Sequence, residues 1–485
     1  MAITDTDGGR PGAPGPARAG APTRRLRLGY ASGALVTGTF TTLPGLLLLP
    51  YLTDTLGVGA ALAGVIVFVP KAWDAVLNPL VGRASDRTRT RWGSRRPYVL
   101  GGGLAMALAF AMMFAGPLPG SAGAWFTAAG YLLTATAFAF FQVPYAAMPA
   151  ELADREEDRV RLVAGRVAVI GIAALVTGGL SPVLVDAGGG GLAGHRWAGL
   201  FGATVIATGA LWVFAGTART AGGAATGSAR TASNKATGRA STATRTATRT
   251  ATGSARTATG TAHVPAGEPT LREQFAAARA NPPFMALLRC VVVQSVATGV
   301  LLAGAPYFAG QVLHDSSGVG ALVAAFVAPN LLTMPLWSRL RGPRGYAVAS
   351  ALFAAGCLLL LASPALPGGA VLAAMALAGT GHAGQLLFLY AMLPDCIARD
   401  TARTGRHRGG VLSGVFTTGE GLGVALGPFL YGLVLQLSGY VSSGTGHAAE
   451  QTTTARFGIL AGFGALPALA AGAAVLLLRA YDRPY

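Results

Sequence analysis

Apolar stretches of about 20 residues or more recur almost without interruption between residues 28 and 480, parted by short loops. A helix rises ~1.5 Å per residue, so each stretch is long enough to cross the ~30 Å hydrocarbon core of a bilayer. Hydrocarbon offers no partners to a backbone, so a stretch of this kind crosses as a helix that satisfies its own peptide groups. Twelve spans can be placed, near 28–50, 59–83, 97–116, 122–150, 160–188, 196–216, 283–313, 317–338, 345–363, 368–394, 409–438 and 456–480. Charged residues make up 12% of the chain and hydrophobic residues 52%, against about 25% charged in soluble domains, which excludes a soluble enzyme. The expected fold is an all-α membrane protein of twelve transmembrane helices.

The net charge of +18 would ordinarily raise nucleic-acid binding, but its placement argues for topology instead. Loops after even-numbered spans hold Arg83, Arg87, Arg89, Arg91, Arg95 and Arg96, then Arg155, Arg159 and Arg161. The same holds for Arg339, Arg341 and Arg344, and for Arg399, Arg403, Arg406 and Arg408; loops after odd-numbered spans hold only Arg196 and Arg456. The positive-inside rule makes the even-numbered loops and both termini cytoplasmic. Lysine occurs only at 71 and 235, and Ala and Gly abound, a bias that points to a GC-rich bacterial genome and hence to the bacterial inner membrane. Cys290, Cys357 and Cys396 lack C-x-x-C spacing and read as small buried hydrophobes.

Residues 1–27, rich in Gly, Pro and Ala with no apolar core, read as a disordered cytoplasmic tail rather than a signal peptide. Residues 217–282 divide the spans into bundles at 28–216 and 283–485. Between Thr217 and Ala262 this linker carries seven basic and no acidic residues and repeats GSARTA at 227–232 and 253–258, a composition that cannot build a core. Thr270-Leu-Arg-Glu273 has the form of a capping box and would start a short helix before Pro282. The bundles echo each other. Tyr145-Ala-Ala-Met-Pro149 closes span 4 as Tyr390-Ala-Met-Leu-Pro394 closes span 10, and Asp74 precedes Pro79 by five residues as Asn330 precedes Pro335. Repeated halves around a midplane site are a mark of transporters.

Lys71-Ala-Trp-Asp-Ala-Val-Leu-Asn-Pro-Leu-Val-Gly82, continuing through Ser85-Asp-Arg-Thr-Arg-Thr-Arg-Trp-Gly-Ser-Arg-Arg-Pro-Tyr98, resembles the span 2 and loop 2–3 signature of the glycoside–pentoside–hexuronide:cation symporters. These form the melibiose-carrier-like branch of the major facilitator superfamily. Asn281-Pro-Pro-Phe284, Asp395 and Gly405-Arg-His-Arg-Gly-Gly-Val411 are similar to the same family. The resemblance implies the major facilitator fold, with two pseudo-symmetric six-helix bundles around a cavity open alternately to each side, and sugar transport driven by sodium or protons. It also implies roles for single residues. Asp74 stands where the family has its first cation-site acid and Arg166 where it has a span 5 arginine. Asn78 replaces the second acid, Gln142 the span 4 acid, Gly38 the span 1 sugar-binding acid and Gly421, beside Glu420, the span 11 lysine.

Read on their own, Lys71, Asp74 and Asn78 are spaced i, i+3 and i+7 and share one helix face. Asp74 lies ~13 Å inside the membrane, where an ionised carboxylate costs at least ~2.5 kcal/mol of insertion free energy, so it either binds the coupling ion or pairs with Lys71. Asp74, Asn78 and Glu420 are the candidates for cation or proton coupling. Gln142, Tyr145, Arg166, His382, Gln385 and Thr417 are the candidates for substrate binding, each with an alternative role in packing or interhelical bonding. Arg166 could instead snorkel, as Arg289 is expected to. Gln294 and Tyr307 are weaker candidates. Asp86, with Arg87 and Arg91, forms either a cytoplasmic gate that exchanges ion pairs or a topology signal alone. No GxxxxGK[ST] loop supports ATP-driven pumping, and no catalytic constellation or metal cluster stands out.

The expected function is secondary active transport of a small solute, a sugar or glycoside by resemblance, by alternating access in a monomer. It needs no cofactor and no nucleic-acid partner, and its coupling ion is H⁺ rather than Na⁺. An exporter of a lipid-like or secondary-metabolite solute on the same fold is the alternative, and a non-transporting receptor or scaffold is a third.

Overall fold

The computed structural model describes residues 22–116, 118, 120–153, 155–218, 279–337, 339–340, 342–405, 408–444 and 449–482. The GSARTA repeats, the Thr270–Glu273 capping box, Arg341, Arg406 and His407 lie outside the described residues. Among the described residues, twelve long helices follow the expected spans: α1 Arg24–Pro50, α2 Ala60–Arg87, α3 Arg96–Met113, α4 Gly120–Ala147, α5 Glu156–Ala187, α6 Gly191–Gly216, α7 Pro282–Gln311, α8 Val319–Trp337, α9 Gly342–Leu359, α10 Gly368–Thr404, α11 Gly409–Leu437 and α12 Thr453–Leu478. Among the described residues, eleven helices are long and apolar enough to cross a membrane, and Val319–Thr333 of α8 is a shorter apolar run.

Three boundaries differ from the sequence expectation. The N-terminal tail ends before residue 24, because Thr23 caps α1 by accepting the Leu26 N–H at 3.3 Å. Helix α1 also continues past Pro50 as a π-helical turn, Tyr51–Thr55. At the other extreme, α10 runs ten residues beyond Pro394, so Asp395, Arg399 and Arg403 are helical rather than in a loop. A proline removes only one intrahelical bond, and Gly405 in the left-handed region (φ 66°) is what finally stops the helix.

Packing repeats between the halves. In the first half α1 packs on α5 and α6, α4 on α2 and α3, and α3 on α6. In the second, α7 packs on α11 and α12, α10 on α8 and α9, and α9 on α12. Each pairing maps onto its counterpart by adding six to the helix number. The halves meet chiefly through α2 with α11 and α5 with α8, which the same operation exchanges, with α1 and α7 crossing between.

The seam is tight at the end opposite the Arg-rich loops. Tyr440 donates to Asp54 Oδ1 at 2.8 Å, Ser442 to the Val58 carbonyl at 2.8 Å and Ser443 to the Asp54 carbonyl at 2.8 Å, while Thr53 and Tyr307 share a hydrogen bond of 2.8 Å. Glycines let the backbones touch there: a Cβ on Gly432 would lie 2.4 Å from the Ala60 carbonyl oxygen, and one on Gly320 2.7 Å from that of Gly179. Toward the Arg-rich end, positions Gly410, Gly414 and Gly421 along α11 face open space. The halves are therefore fastened to each other at this end, beside a cavity of about 650 Å³ lined by Asp54, Asp186 and Gln311, whereas α11 is uncovered toward the other.

Gly432→Val should loosen the closed end. Spin labels on exposed Leu62 and Val441, introduced into a protein whose three cysteines are buried, should report a longer mean separation in the variant. An unchanged distance distribution would show that the α2–α11 contact does not hold this end shut.

Candidate functional site

At the level of the membrane midplane, α1, α5, α7, α8, α10 and α11 enclose a cavity of about 280 Å³ on the seam. Its polar lining is Thr41, Thr42, Thr298, Asn330 and His382; the remainder is apolar and includes Ile170, Phe326 and Val424.

In the first half, the Asp74 carboxylate has Oδ1 buried without a hydrogen-bond partner. Lys71 does not form an ion pair with it. The ammonium instead sits 3.5 Å from the centroid of Phe40, a cation–π contact, and Asp74 feels its charge from a distance. Asn78 is half-buried on the same helix. Gln142 accepts from Thr37 at 2.8 Å, tying α4 to α1. Tyr145 is fully buried, stacks on Tyr30 and Phe141, and donates its hydroxyl to the Tyr30 carbonyl at 2.8 Å. What it presents to the cavity side is its ring, over which the Arg166 guanidinium lies at 4.9 Å. Arg166 does not snorkel away: its Nε is buried without a partner, and the guanidinium sits beside the Tyr30 hydroxyl.

In the second half, Glu420 accepts from the Tyr390 hydroxyl at 2.6 Å, joining α11 to α10. Tyr390 lies within electrostatic reach of Arg166 on the facing half. His382 lines the cavity, stacked on Phe326, with Nδ1 3.0 Å from Gln294 Nε2. Gln385 is fully buried and donates to Ser350 at 3.1 Å. Thr417 is exposed and donates back to the Ser413 carbonyl at 3.0 Å. Arg289 is exposed on α7, and Tyr307 belongs to the closed end of the seam.

The loop after α2 arranges its charges differently from the expectation. Asp86 pairs with Arg95 at 3.4 Å, whereas Arg87 and Arg91 are exposed and Arg91 lies over Trp92 at 5.0 Å. Arg95 also meets Glu151 at 3.0 Å, so an acid from the turn after α4 joins the cluster. Arg95 immediately precedes α3 and faces both carboxylates, which is why it, rather than its neighbours in sequence, holds them.

Gly38 has a physical reason to lack the family's acid. A Cβ there would lie 2.6 Å from that of Ala173 and 2.9 Å from the Ile170 carbonyl oxygen, so α1 and α5 cross with no room for a side chain. Gly421, in contrast, faces open space beside Glu420. Sequence reasoning missed Tyr390, Asn330, Thr298, Tyr30 and Glu151. The Tyr145/Tyr390 and Asp74/Asn330 repeats held the signal for two of them.

These features define a multi-pass membrane protein of the major facilitator fold with a cavity between its halves. The chain matches the model of the MFS/sugar transport protein family over residues 29–253 and 240–483 and belongs to that family, whose members are membrane transport proteins and not enzymes. It is 30% identical over 185 residues to the putative glycoside/cation symporter YagG of Escherichia coli K12, covering 38% of this chain and 40% of that one. It is also 30% identical over 155 residues to the glucuronide carrier protein homolog of the same organism, covering 32% and 33%. The matched stretches thus span less than half the length of either relative. Among solved structures, a bacterial homologue of the human lysosomal transporter Spinster, inward-facing and unoccupied, shares the fold with a TM-score of 0.63 at 14% identity, covering 95% of this chain and 97% of that one.

Gly38→Ala should cost about 1–3 kcal/mol of stability through overpacking at the α1–α5 crossing, read as a lower melting temperature in detergent. Gly38→Asp, which restores the family's acid, should cost more, since it adds a buried charge. An unshifted melting temperature in both would refute the close approach.

Proposed function

We propose that this protein is a cation-coupled secondary transporter of the bacterial cytoplasmic membrane that carries a sugar or glycoside by alternating access. Family membership and the similarity to a glycoside/cation symporter support the solute class. The positive-inside distribution puts the Arg-rich end of the seam in the cytoplasm, so the end at which the halves are fastened faces outward and this conformation is read as inward-facing. Rocking about the cavity would exchange the two: the Tyr440–Asp54 and Tyr307–Thr53 bonds separate as the inner ends of α2, α5, α8 and α11 approach. One chain contains the whole site, in keeping with a monomer.

The observation that carries the coupling is the unpartnered Asp74 carboxylate oxygen, buried within a transmembrane helix. Such a group is costly to bury unless it exchanges a cation or proton. A proton needs one titratable oxygen, whereas a sodium ion needs several oxygen ligands. With Asn78 and Gln142 where the family has acids, a proton suits this site better. Asn78 and Glu420 then serve as neighbours that shape the charge around the transfer rather than as a ligand cage.

In proteoliposomes, an inward-directed proton gradient should drive solute accumulation, and Asp74→Asn should abolish accumulation while leaving solute exchange across the membrane in place. Accumulation by Asp74→Asn at the wild-type level would remove Asp74 from coupling. Stimulation by sodium at constant pH, without proton movement, would assign the coupling to sodium.

A further inference from the structure

The cavity of about 650 Å³ at the fastened end of the seam lies between α1, α5 and α6 of one half and α7 and α8 of the other. It shares no lining residue with the midplane cavity. Its lining residues Asp186 and Gly189 are exposed, so it is reached from the face opposite the Arg-rich loops.

What the lining offers is one-sided. Asp54 and Asp186 contribute carboxylates, and no Lys or Arg lines the cavity or pairs with either among the described residues. Arg196, on the neighbouring stretch of α6, gives its guanidinium to the Ala115 and Gly116 carbonyls instead. His195 holds Nδ1 2.7 Å from the Gly191 carbonyl, an oxygen that can only accept, so Nδ1 carries the proton and Nε2 of the neutral ring is an acceptor. Gln311 donates its Nε2 to the Ala449 carbonyl at 3.3 Å, which leaves its Oε1 to accept. Neither His195 Nε2 nor Gln311 Oε1 meets a donor among the described residues, although both side chains are more than nine-tenths buried. Thr55, buried in the same lining, has a hydroxyl with no hydrogen-bond partner.

Acceptors from both halves, two of them anionic, call for a ligand that is positively charged and rich in N–H. A cleft lined by one sign of charge concentrates counter-ions, and Asp315, within electrostatic reach of Asp186, adds to that field. A metal ion does not fit. Calcium or magnesium needs oxygens converging at ~2.0–2.6 Å, and among the described residues no three His, Cys, Asp or Glu side chains are placed to hold one. The acceptors are instead spread around a volume typical of small-molecule sites, and much of the remaining lining is apolar, Leu47, Pro182 and Pro306 included.

We propose that this outer cavity binds a linear polyamine, whose ammonium groups donate to Asp54, Asp186, His195 and Gln311 while its methylene stem lies on the apolar lining. Because both halves contribute, an occupant joins them at the end where Tyr440 already holds Asp54. The inference stands on this cavity and is independent of the solute carried.

The test titrates spermidine into the full-length protein in nanodiscs of zwitterionic phosphatidylcholine, which offers the amine no anionic lipid, and follows binding by calorimetry. A single saturable site is expected. Mg²⁺ and tetramethylammonium, which has no N–H, should fail to displace spermidine at equal charge concentration. Asp186→Asn, at an exposed position, should weaken spermidine at least about tenfold by removing a charge-assisted bond. His195→Phe, which keeps a ring beside Tyr51 and removes the acceptor, should weaken it severalfold. Glu157→Gln removes the same charge at the opposite end of α5 and should leave the affinity unchanged. Absence of saturable binding overturns the proposal, as does an affinity untouched by both Asp186→Asn and His195→Phe. Equal displacement by Mg²⁺ or tetramethylammonium, or an equal loss in Glu157→Gln, would reduce the effect to unspecific charge attraction and overturn it as well.

Discussion

With hydrocarbon around the helices, the seam between the halves is where this chain can keep charge within the membrane. Every ionisable group inside its helices must find either a partner or water there, because an uncompensated charge facing lipid is too costly to persist. The structure obeys this with few residues. Lys71 spends its charge on the faces of Phe40 and Phe138, Arg166 lies on the Tyr145 ring, and Glu420 takes the Tyr390 hydroxyl. Asp74 keeps a buried oxygen with no hydrogen-bond partner.

The same seam is built from a repeat that has diverged chemically while keeping its geometry. Tyr145 and Tyr390 occupy equivalent helices, as do α5 with Arg166 and α11 with Glu420. In the first half the tyrosine receives a cation on its ring; in the second it gives a proton-bearing hydroxyl to an anion. Tyrosines on symmetry-related helices thus support opposite charges in the two halves.

The sequence revealed what depends on local composition: the spans and their approximate ends. It did not reveal what depends on which side chains meet across helices. Tyr145 looked like a hydrogen-bond donor to a ligand, but its hydroxyl is spent on a backbone carbonyl of α1. Asp86 sat among many arginines, and only the fold shows that Arg95 faces it with Glu151 arriving from a distant turn. Gly38 read as the loss of a binding acid, whereas it marks a helix crossing too close for any side chain. Pro394 read as a terminus because proline usually is one, yet α10 tolerates it and carries on.

The closed end of the seam is fastened by neutral hydroxyls, a single carboxylate and bare glycine backbone. Bonds of this sort contribute only ~0.5–1.5 kcal/mol each, since water replaces them readily. Among the described residues no full ion pair has to dissolve when that end parts, and the cost falls on the apolar side chains that join α1 and α2 to α7 and α11 there. The polar part of this gate therefore resembles a row of snaps more than a weld, and a carrier fastened this way spends little on its hydrogen bonds when it passes between its two faces.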